Sequence, residues 1–168
     1  MDAAAYRDYV NILKEELVPA MGCTEPIAIA YAAAVARRTL GRPARRVEVE
    51  ASGNIIKNVK SVFVPNTGGL RGIPAAAAAG IAAGNPDLEL EVLSQIGEAE
   101  QAAIRQYLED TPITVKLAAS PFIFDITIRA WAEEESALVR IVNYHTNIVR
   151  IEKNGQVLKE VEAQAAAE

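Results

Sequence analysis

The sequence contains very few of the residues that build disulfides and metal sites. Its 168 residues include a single cysteine, Cys23, and a single histidine, His145. One cysteine excludes an internal disulfide and is typical of proteins from a reducing cytoplasm. The spacings Cys-x-x-Cys and His-Glu-x-x-His are absent, so we expect no metal site within this chain. Its glycine and lysine content does not indicate a site for pyridoxal phosphate.

Long apolar segments and a surplus of positive charge are missing as well. Arg37 and Arg38 interrupt the longest apolar run before it reaches the ~20 residues of a membrane-spanning helix. Residues 2–14 lack the basic and then apolar pattern of a signal peptide. The net charge of −5 provides no basic surface for a nucleic acid or an anionic membrane. We therefore expect a cytoplasmic protein that binds neither of them.

Alanine is the residue present in excess, and it favours helices in the first part of the chain. The runs at residues 32–34 and 75–79 indicate helices that neighbouring segments approach closely, because little side-chain volume separates them. The predicted helices are an amphipathic one over residues 6–17, a buried one over 25–40, an alanine-rich one from Pro74 to about Gly84, and a helical region over 87–109 with a break at Gly97.

The last part of the chain has the alternating apolar and polar pattern of strands. Strands are predicted over residues 46–52, 113–115, 122–131 and 137–144, and as a hairpin of residues 146–152 and 156–159 around the Asn154-Gly155 turn. Residues 54–60 fit either a helical turn or a strand, and residues 61–64 fit a short extended piece.

The order of these elements predicts an α+β fold. Alanine-rich buried helices from the first part are expected to pack on a mostly antiparallel sheet formed largely by the second part. Residues 1–160 would form a single domain, and residues 161–168 would be a linker or a truncated helix.

Cys23 lies where a loop is expected to become a helix. Thr24 can act as the N-cap, and Pro26 suits the first helical turn. A thiol at this position feels the positive end of the helix dipole, which favours the reactive thiolate. Glu25 could then supply a proton or bind a substrate ammonium group. The alternatives are a buried structural cysteine and a Thr24–Glu25 pair that only caps the helix.

A second polar segment, residues 52–58, follows the strand predicted over residues 46–52. Asn54, Lys57 and Asn58 carry the donor groups that an α-carboxylate requires. The alternative is an Asx-turn beside a solvated lysine.

A glycine-rich segment and the histidine complete the candidate site. Around Thr67, the consecutive glycines Gly68 and Gly69 can form an anion-binding nest next to a helix N-terminus, or merely a flexible connector. The segment has neither the ending of a phosphate-binding P-loop nor the G-x-G-x-x-G spacing. His145, within residues 143–147 between two strands, could shuttle a proton, bind substrate or satisfy local hydrogen bonds.

Four segments occur in a recognisable order. They are Gly22-Cys23-Thr24-Glu25-Pro26, Ser52-Gly53-Asn54-Ile55-Ile56-Lys57-Asn58, Val64-Pro65-Asn66-Thr67-Gly68-Gly69 and His145-Thr146-Asn147-Ile148-Val149. Together they closely resemble the N-terminal half of the L-cysteine desulfidase family, which is related to the alpha chain of the iron–sulfur L-serine dehydratases. The resemblance extends over essentially the whole chain.

This resemblance implies an α,β-elimination that converts L-cysteine to sulfide, ammonia and pyruvate without pyridoxal phosphate. A [4Fe-4S] cluster would polarise the leaving group, and the family's proposed proton acceptor corresponds to Cys23. Members of the family are considerably longer, and three cysteines in their C-terminal half hold the cluster. Since none of the three occurs here, the resemblance implies that a separate C-terminal domain binds the cluster and that this chain alone is inactive.

Two other interpretations stay open at this point. The chain could be a non-catalytic module for amino-acid binding or assembly, or the parent enzyme could act on L-serine or another β-substituted amino acid. A small amino acid is the expected ligand of the enzyme and of the binding module. A homo-oligomer is compatible with every interpretation.

Overall fold

The computed structural model describes residues 3–5 and 24–164. The helix predicted over residues 6–17 and the thiol of Cys23 lie outside these residues. The helices are α1 (Thr24–Leu40), α2 (Gly53–Val59), α3 (Gly72–Ala83) and α4 (Glu98–Asp110), with a short 3-10 helix at Pro86–Glu91. The strands are β1 (Arg46–Ala51), β2 (Ile113–Leu117), β3 (Asp125–Ala132), β4 (Glu135–Val142), β5 (Ile148–Lys153) and β6 (Gln156–Glu160).

The six strands form one sheet in the order β2-β1-β3-β4-β5-β6. Strands β3 to β6 make an antiparallel meander, and β1 joins it antiparallel to β3. β2 pairs in parallel with β1, which requires a crossover connection; the helices α2 to α4 provide it. The predicted α+β fold, with alanine-rich helices on a mostly antiparallel sheet formed largely by the second part, is confirmed.

Helices α1 and α3 cover one face of the sheet. α1 packs against β3, β4 and β5, while α3 packs against α1 and against β1 and β2. Alternate residues of β1, β3 and β4 face these helices. They are apolar and fully buried, namely Val47, Val49, Ile126, Ile128, Val139 and Ile141. Because α1 contacts both α3 and the sheet, its nearly uniform apolar surface is buried almost throughout.

The closest packing in this layer joins the backbones of α1 and α3. A Cβ atom built on Gly80 would overlap the carbonyl oxygen of Ala30 and lie 2.9 Å from its Cα. Alanines on both helices leave no larger side chain to hold the axes apart. The expected close approach of the alanine-rich helices is therefore present, and Gly80 is its tightest point.

The other face of the sheet carries charges that pair with one another. Arg129 Nη1 lies 2.6 Å from Glu50 Oε2, and Lys116 Nζ lies 3.2 Å from Glu48 Oε1. Such partly exposed pairs contribute little to stability individually. These charges make this face of the sheet polar. Because successive residues of β1 point to opposite faces, its sequence alternates apolar and charged residues.

Several element boundaries differ from those predicted. The helical region predicted over residues 87–109 is a 3-10 helix, a turn and then α4, which begins directly after Gly97. Asn85 Oδ1 accepts a hydrogen bond from the Asp87 amide, which favours a tight local turn. Glu89 interrupts the helical geometry with a φ of 48°.

Two more segments begin at other residues than the sequence predicts, and a third segment, which was ambiguous in the sequence, is now assigned. α3 begins at Gly72 and not at Pro74, because proline is accepted within a first helical turn. β3 begins at Asp125, three residues later than predicted, since the Phe122 amide donates to Ser120 Oγ in a turn. The ambiguous residues 54–60 fall almost entirely within helix α2.

The chain after β6 has neither helix nor strand over residues 161–164. Val161 still donates a backbone hydrogen bond to the Val149 carbonyl, and the Gln164 carbonyl accepts one from Asn143 Nδ2. Among residues 3–5 and 24–164, no helix combines the length and the apolar character needed to cross a membrane.

We expect Gly80→Ala to lower the free energy of unfolding by about 3 kcal/mol, the upper part of the range for overpacked cores. The added methyl group meets backbone atoms of Ala30, which cannot rotate away. Urea unfolding of the chain measures the change.

Gly53→Ala is the matched control, because a Cβ at this helical position would make only an ordinary 3.7 Å contact with Leu117 Cδ1. It should be neutral or stabilising, since alanine has the higher helix propensity. Equal stability of the two variants would contradict the packing described for α1 and α3.

Candidate functional site

The beginning of α1 lies close to the loop that joins β4 and β5. Glu25 is the second residue of α1, and its charge acts on the imidazole of His145 in that loop. The ring of Phe124 contacts the imidazole with a centroid separation of 4.8 Å and a tilt of 59°. The carboxylate of Glu25 is therefore near enough to His145 to affect its pKa, although 120 positions separate the two residues in the sequence.

The imidazole of His145 has an unsatisfied nitrogen. Within the described part of the chain, Nε2 is the buried side-chain nitrogen or oxygen atom that lacks a hydrogen-bond partner. Burial lowers the pKa of His145 below 6.5, and the negative charge of Glu25 opposes this effect. The ring is consequently neutral near pH 7, with one nitrogen able to accept a hydrogen bond.

Backbone hydrogen bonds hold the β4–β5 loop in place. The Asn143 amide donates to the carbonyl of Phe124, and the Asn147 amide donates to that of Tyr144. Asn147 Nδ2 also donates to the carbonyl of Val142 at 2.8 Å. Asn143 has a φ of 70°, a conformation that asparagine adopts more readily than most residues. His145 thus sits on a loop whose position the strand ends determine.

A partly buried ion pair anchors the segment that carries Phe124. Arg140 donates from Nε to Asp125 Oδ1 at 3.0 Å and from Nη2 to Oδ2 at 2.7 Å. Ser52 Oγ donates to the Ile123 carbonyl at 2.6 Å and accepts from the Asp125 amide at 3.3 Å. These bonds connect the end of β1 to the residues on either side of Phe124. They therefore support the ring that packs on His145.

Asn54, Lys57 and Asn58 lie on α2, where their spacing puts all three on one helix face. All three side chains are exposed. None forms a hydrogen bond or ion pair with another described residue, so their polar groups are available to a ligand or to solvent. The Asx-turn considered for this segment is replaced by a helix.

Internal hydrogen bonds hold the glycine-rich segment in a defined loop, in contrast to the flexible connector considered as an alternative. Thr67 is fully buried, and its hydroxyl donates to the Val64 carbonyl at 2.7 Å while accepting from the Leu70 amide at 3.2 Å. Gly68 and Gly69 have φ values of 75° and 98°, and no atom lies within 4 Å of a Cβ built on Gly69. The hydroxyl of Thr67 shapes the loop, whereas the two glycines expose their backbone.

Residues from α4 flank this loop. Gln101 Nε2 donates to the Asn66 carbonyl at 3.1 Å, and Arg105 Nη1 would lie 3.6 Å from a Cβ on Gly68. Asn66 Nδ2 donates to the carbonyls of Leu93 and Ile96, both at 3.0 Å. None of these hydrogen bonds connects the loop to Glu25 or His145 within residues 24–164.

Sequence reasoning did not identify Phe124, the Asp125–Arg140 pair, Gln101 or Arg105. The ion pair joins residues 15 positions apart, and the partners face each other only once β3 and β4 pair in register. Arg105 has the appearance of an ordinary exposed residue on an amphipathic helix. No local signal in the sequence distinguishes these residues.

Several proteins that carry one family name are similar to this chain. A UPF0597 protein of Desulfitobacterium hafniense is 58% identical over 153 residues, which is 91% of this chain and 36% of that protein. The corresponding values are 43% over 160 residues for a UPF0597 protein of Treponema denticola and 47% over 153 residues for one of Finegoldia magna. Over at least 90% of its length, the chain is similar to these UPF0597 proteins.

The chain spans little more than a third of the length of these relatives. It covers 37% of the length of the Treponema denticola and the Finegoldia magna proteins. No family model matches the chain, and no solved structure matches it.

We expect Thr67→Val to destabilise the glycine-rich loop by about 1–3 kcal/mol, the cost of leaving buried hydrogen-bonding groups unpaired. Hydrogen exchange of the Leu70 amide should accelerate, because this amide donates to the Thr67 hydroxyl. Thr67→Ser keeps the hydroxyl and should keep the protection of Leu70. Unchanged exchange in Thr67→Val would show that the hydroxyl does not shape the loop.

The pKa of His145 should lie below 6.5 when its ring signals are titrated by NMR, since burial disfavours the imidazolium. Glu25→Gln should lower this pKa further, because the carboxylate favours the charged ring. The exposed Glu109→Gln serves as a control that leaves it unchanged.

The folded state favours the neutral ring, so the contribution of His145 to stability is complete above pH 6.5. It decreases as the pH falls through the lowered pKa. A pKa at or above 6.5, or a rise in Glu25→Gln, would contradict the burial of the ring beside Glu25.

Proposed function

We propose that this chain is part of a lyase that performs α,β-elimination on L-cysteine without pyridoxal phosphate. The observation that carries the proposal is that the charge of Glu25 acts on His145, whose buried Nε2 lacks a hydrogen-bond partner among the described residues. Glu25 directly follows Cys23 and Thr24 in the segment that resembles the desulfidase motif. Titratable groups of this kind, brought together from distant parts of a chain, are typical of catalytic sites.

In the proposed reaction Cys23 acts as a thiolate base. It removes the α-proton of L-cysteine, the electron pair forms the Cα–Cβ double bond, and the Cβ–S bond breaks to release hydrogen sulfide. The resulting 2-aminoacrylate tautomerises to an imine, which water hydrolyses to pyruvate and ammonia. No net oxidation or reduction occurs. The amide groups at the beginning of α1 would favour the thiolate through the helix dipole.

Glu25 and His145 would assist this base. Glu25, on the first turn of α1, can exchange a proton or hold the substrate ammonium group. Thr24, the first residue of α1, would bind substrate through its hydroxyl. The neutral imidazole of His145 can accept a hydrogen bond from the substrate.

The α2 face and the glycine-rich loop would bind the carboxylate of the amino acid. Asn54, Lys57 and Asn58 offer exposed donors on one face, while Gly68 and Gly69 expose backbone N–H groups. Arg105 beside Gly68 adds a guanidinium, the group best suited to pair with a carboxylate. Thr67 would contribute by keeping the loop in shape.

The residues of this chain do not fit a [4Fe-4S] cluster. Such a cluster is held by several cysteine thiolates, and the chain has one cysteine. Among residues 3–5 and 24–164, no group of three His, Cys, Asp or Glu residues could hold a metal ion. In the proposed enzyme, the cluster ligands therefore come from outside the 168 residues of this sequence.

We expect the thiol of Cys23 to have a pKa below the ordinary value of about 8.5. The rate of alkylation by iodoacetamide as a function of pH measures it without interference, because no other thiol is present. The same chain unfolded in urea is the control, and its inflection should return to about 8.5. A thiol that reacts only after unfolding would contradict its role as base and favour the non-catalytic module.

The chain alone is expected to release neither sulfide nor pyruvate from L-cysteine. Extended to the length of its UPF0597 relatives, it should be active, and Cys23→Ala should lower kcat by about 10²–10⁴, the usual contribution of a general base. Glu109→Gln, on the exposed part of α4, should retain activity.

Release of sulfide or pyruvate from L-cysteine by the chain alone would refute the proposal that catalysis also requires a cluster-binding part. Full activity of Cys23→Ala in the extended protein would refute the assignment of the base. The ratio of kcat/KM for L-cysteine and L-serine decides which substrate the enzyme prefers.

A further inference from the structure

We propose that the end of the sheet next to the β4–β5 loop is the surface on which the additional polypeptide of the longer UPF0597 proteins packs. The surface consists of residues 117–124 and 143–147, and we call it the neutral rim. Its occupant is protein with an apolar face, covalently joined to this chain in the longer proteins. The inference goes beyond the proposed function, because it requires only the greater length of the relatives.

Four neighbouring strands bring the two segments of the neutral rim together. The first segment leads from the end of β2 to the start of β3, and the second follows the end of β4. Ser52, directly after β1, donates from Oγ to the Ile123 carbonyl at 2.6 Å. The Asn143 amide donates to the Phe124 carbonyl at 2.9 Å, which joins the two segments. They therefore form one continuous surface, and the strand ends hold it in place.

The neutral rim has no charged side chain, although 23% of the residues of the chain are charged. The two segments read LAASPFIF and NYHTN, and none of their residues is fully buried. Burial lowers the pKa of His145, so its imidazole is neutral near pH 7. Surfaces that face solvent usually carry charges, whereas the core of a protein–protein interface is depleted of them. The composition of the rim therefore favours contact with protein over contact with water.

Three large side chains of the neutral rim are strongly exposed. Leu117 is 69% exposed, Ile123 is 73% exposed and Tyr144 is 60% exposed. Because adjacent strands lie about 4.8 Å apart, the four strand ends span a surface about 15 Å wide. Exposed apolar groups that cluster in this way mark interaction sites, and tyrosine often contributes much of the binding energy there.

The path of the chain indicates what covers the neutral rim. After β6 the chain returns to this end of the sheet, where Asn143 Nδ2 donates to the Gln164 carbonyl at 2.7 Å. Residues 165–168 can span at most about 15 Å, so polypeptide that continues beyond them starts close to the rim. About two thirds of each similar UPF0597 protein lies outside the part that this chain matches. The neutral rim adjoins the point where such a continuation is attached.

The exposed apolar residues of β6 do not form a second surface of this kind. Val157 and Leu158 follow each other, so their side chains point to opposite faces of the sheet. Lys159 and Glu160 come next, and charged side chains on an edge strand disfavour pairing with another chain. Leu158, which is 57% exposed, is therefore a matched control outside the neutral rim.

Hydroxyl-radical footprinting tests the proposal, because it measures the solvent accessibility of individual side chains. The chain alone is compared with the protein extended to the length of its UPF0597 relatives. In the extended protein the oxidation rates of Ile123 and Tyr144 should fall at least fivefold, since the added polypeptide covers them. The oxidation rate of Leu158 should stay within twofold of its value in the chain alone.

A charged substitution tests whether the covered side chains contribute to packing. Ile123→Asp should leave the urea midpoint of the chain alone nearly unchanged, because this side chain is exposed there. In the extended protein it should lower the midpoint and restore at least half of the Tyr144 oxidation rate, since a carboxylate would be buried against an apolar partner. Leu158→Asp, the control, should have the same effect in both proteins.

Four results would overturn the proposal. They are equal oxidation of the neutral rim in both proteins, protection of Leu158 as strong as that of the rim, an equal effect of Ile123→Asp in both proteins, and oxidation of the rim in the chain alone that falls as its concentration rises. The last result would assign the surface to contact between copies of this chain. Protection of the rim in an extended protein without lyase activity would retain the surface and reject the lyase. Activity without protection would reject the surface alone.

Discussion

The contact between the backbones of Gly80 and Ala30 determines where α1 can lie. At this point the two helices approach so closely that no Cβ fits between them. α1 is consequently held against both α3 and strands β3 to β5. The site depends on this contact, because the same helix carries Glu25 at its beginning. Any change in the spacing of the helices would move the carboxylate relative to the β4–β5 loop.

The sheet provides the other half of the site. Its strand ends are tied together by Ser52, which links the end of β1 to the residues around Phe124, and by the partly buried Asp125–Arg140 pair. A hydrogen bond from Asn143 to the Phe124 carbonyl then connects this segment to the loop that carries His145. The position of the imidazole thus depends on backbone pairing more than on the loop sequence. A rigid framework of this kind can keep an unpaired buried nitrogen in a fixed position, where a ligand could bind it.

The glycine-rich loop shows which parts of a local motif the sequence reveals and which it does not. The sequence predicts backbone exposed by Gly68 and Gly69, and both residues adopt positive φ values. The role of Thr67 could not be read from the sequence, because its hydroxyl is used within the loop only when Val64 and Leu70 face each other. Arg105 was missed for a similar reason, since it meets the loop through the packing of α4.

The sequence by itself determined the fold class, the burial of α1 and the strands of the meander. These follow from hydrophobic periodicity and from the alanine content, which are local properties of the chain. The tertiary structure alone decided that Glu25 comes near enough to affect the pKa of His145, that Phe124 packs on the imidazole and that Nε2 of His145 lacks a partner among the described residues. Such contacts join residues far apart in the chain. They arise only when helix packing and strand register have set the positions of both partners, and no local pattern records that outcome.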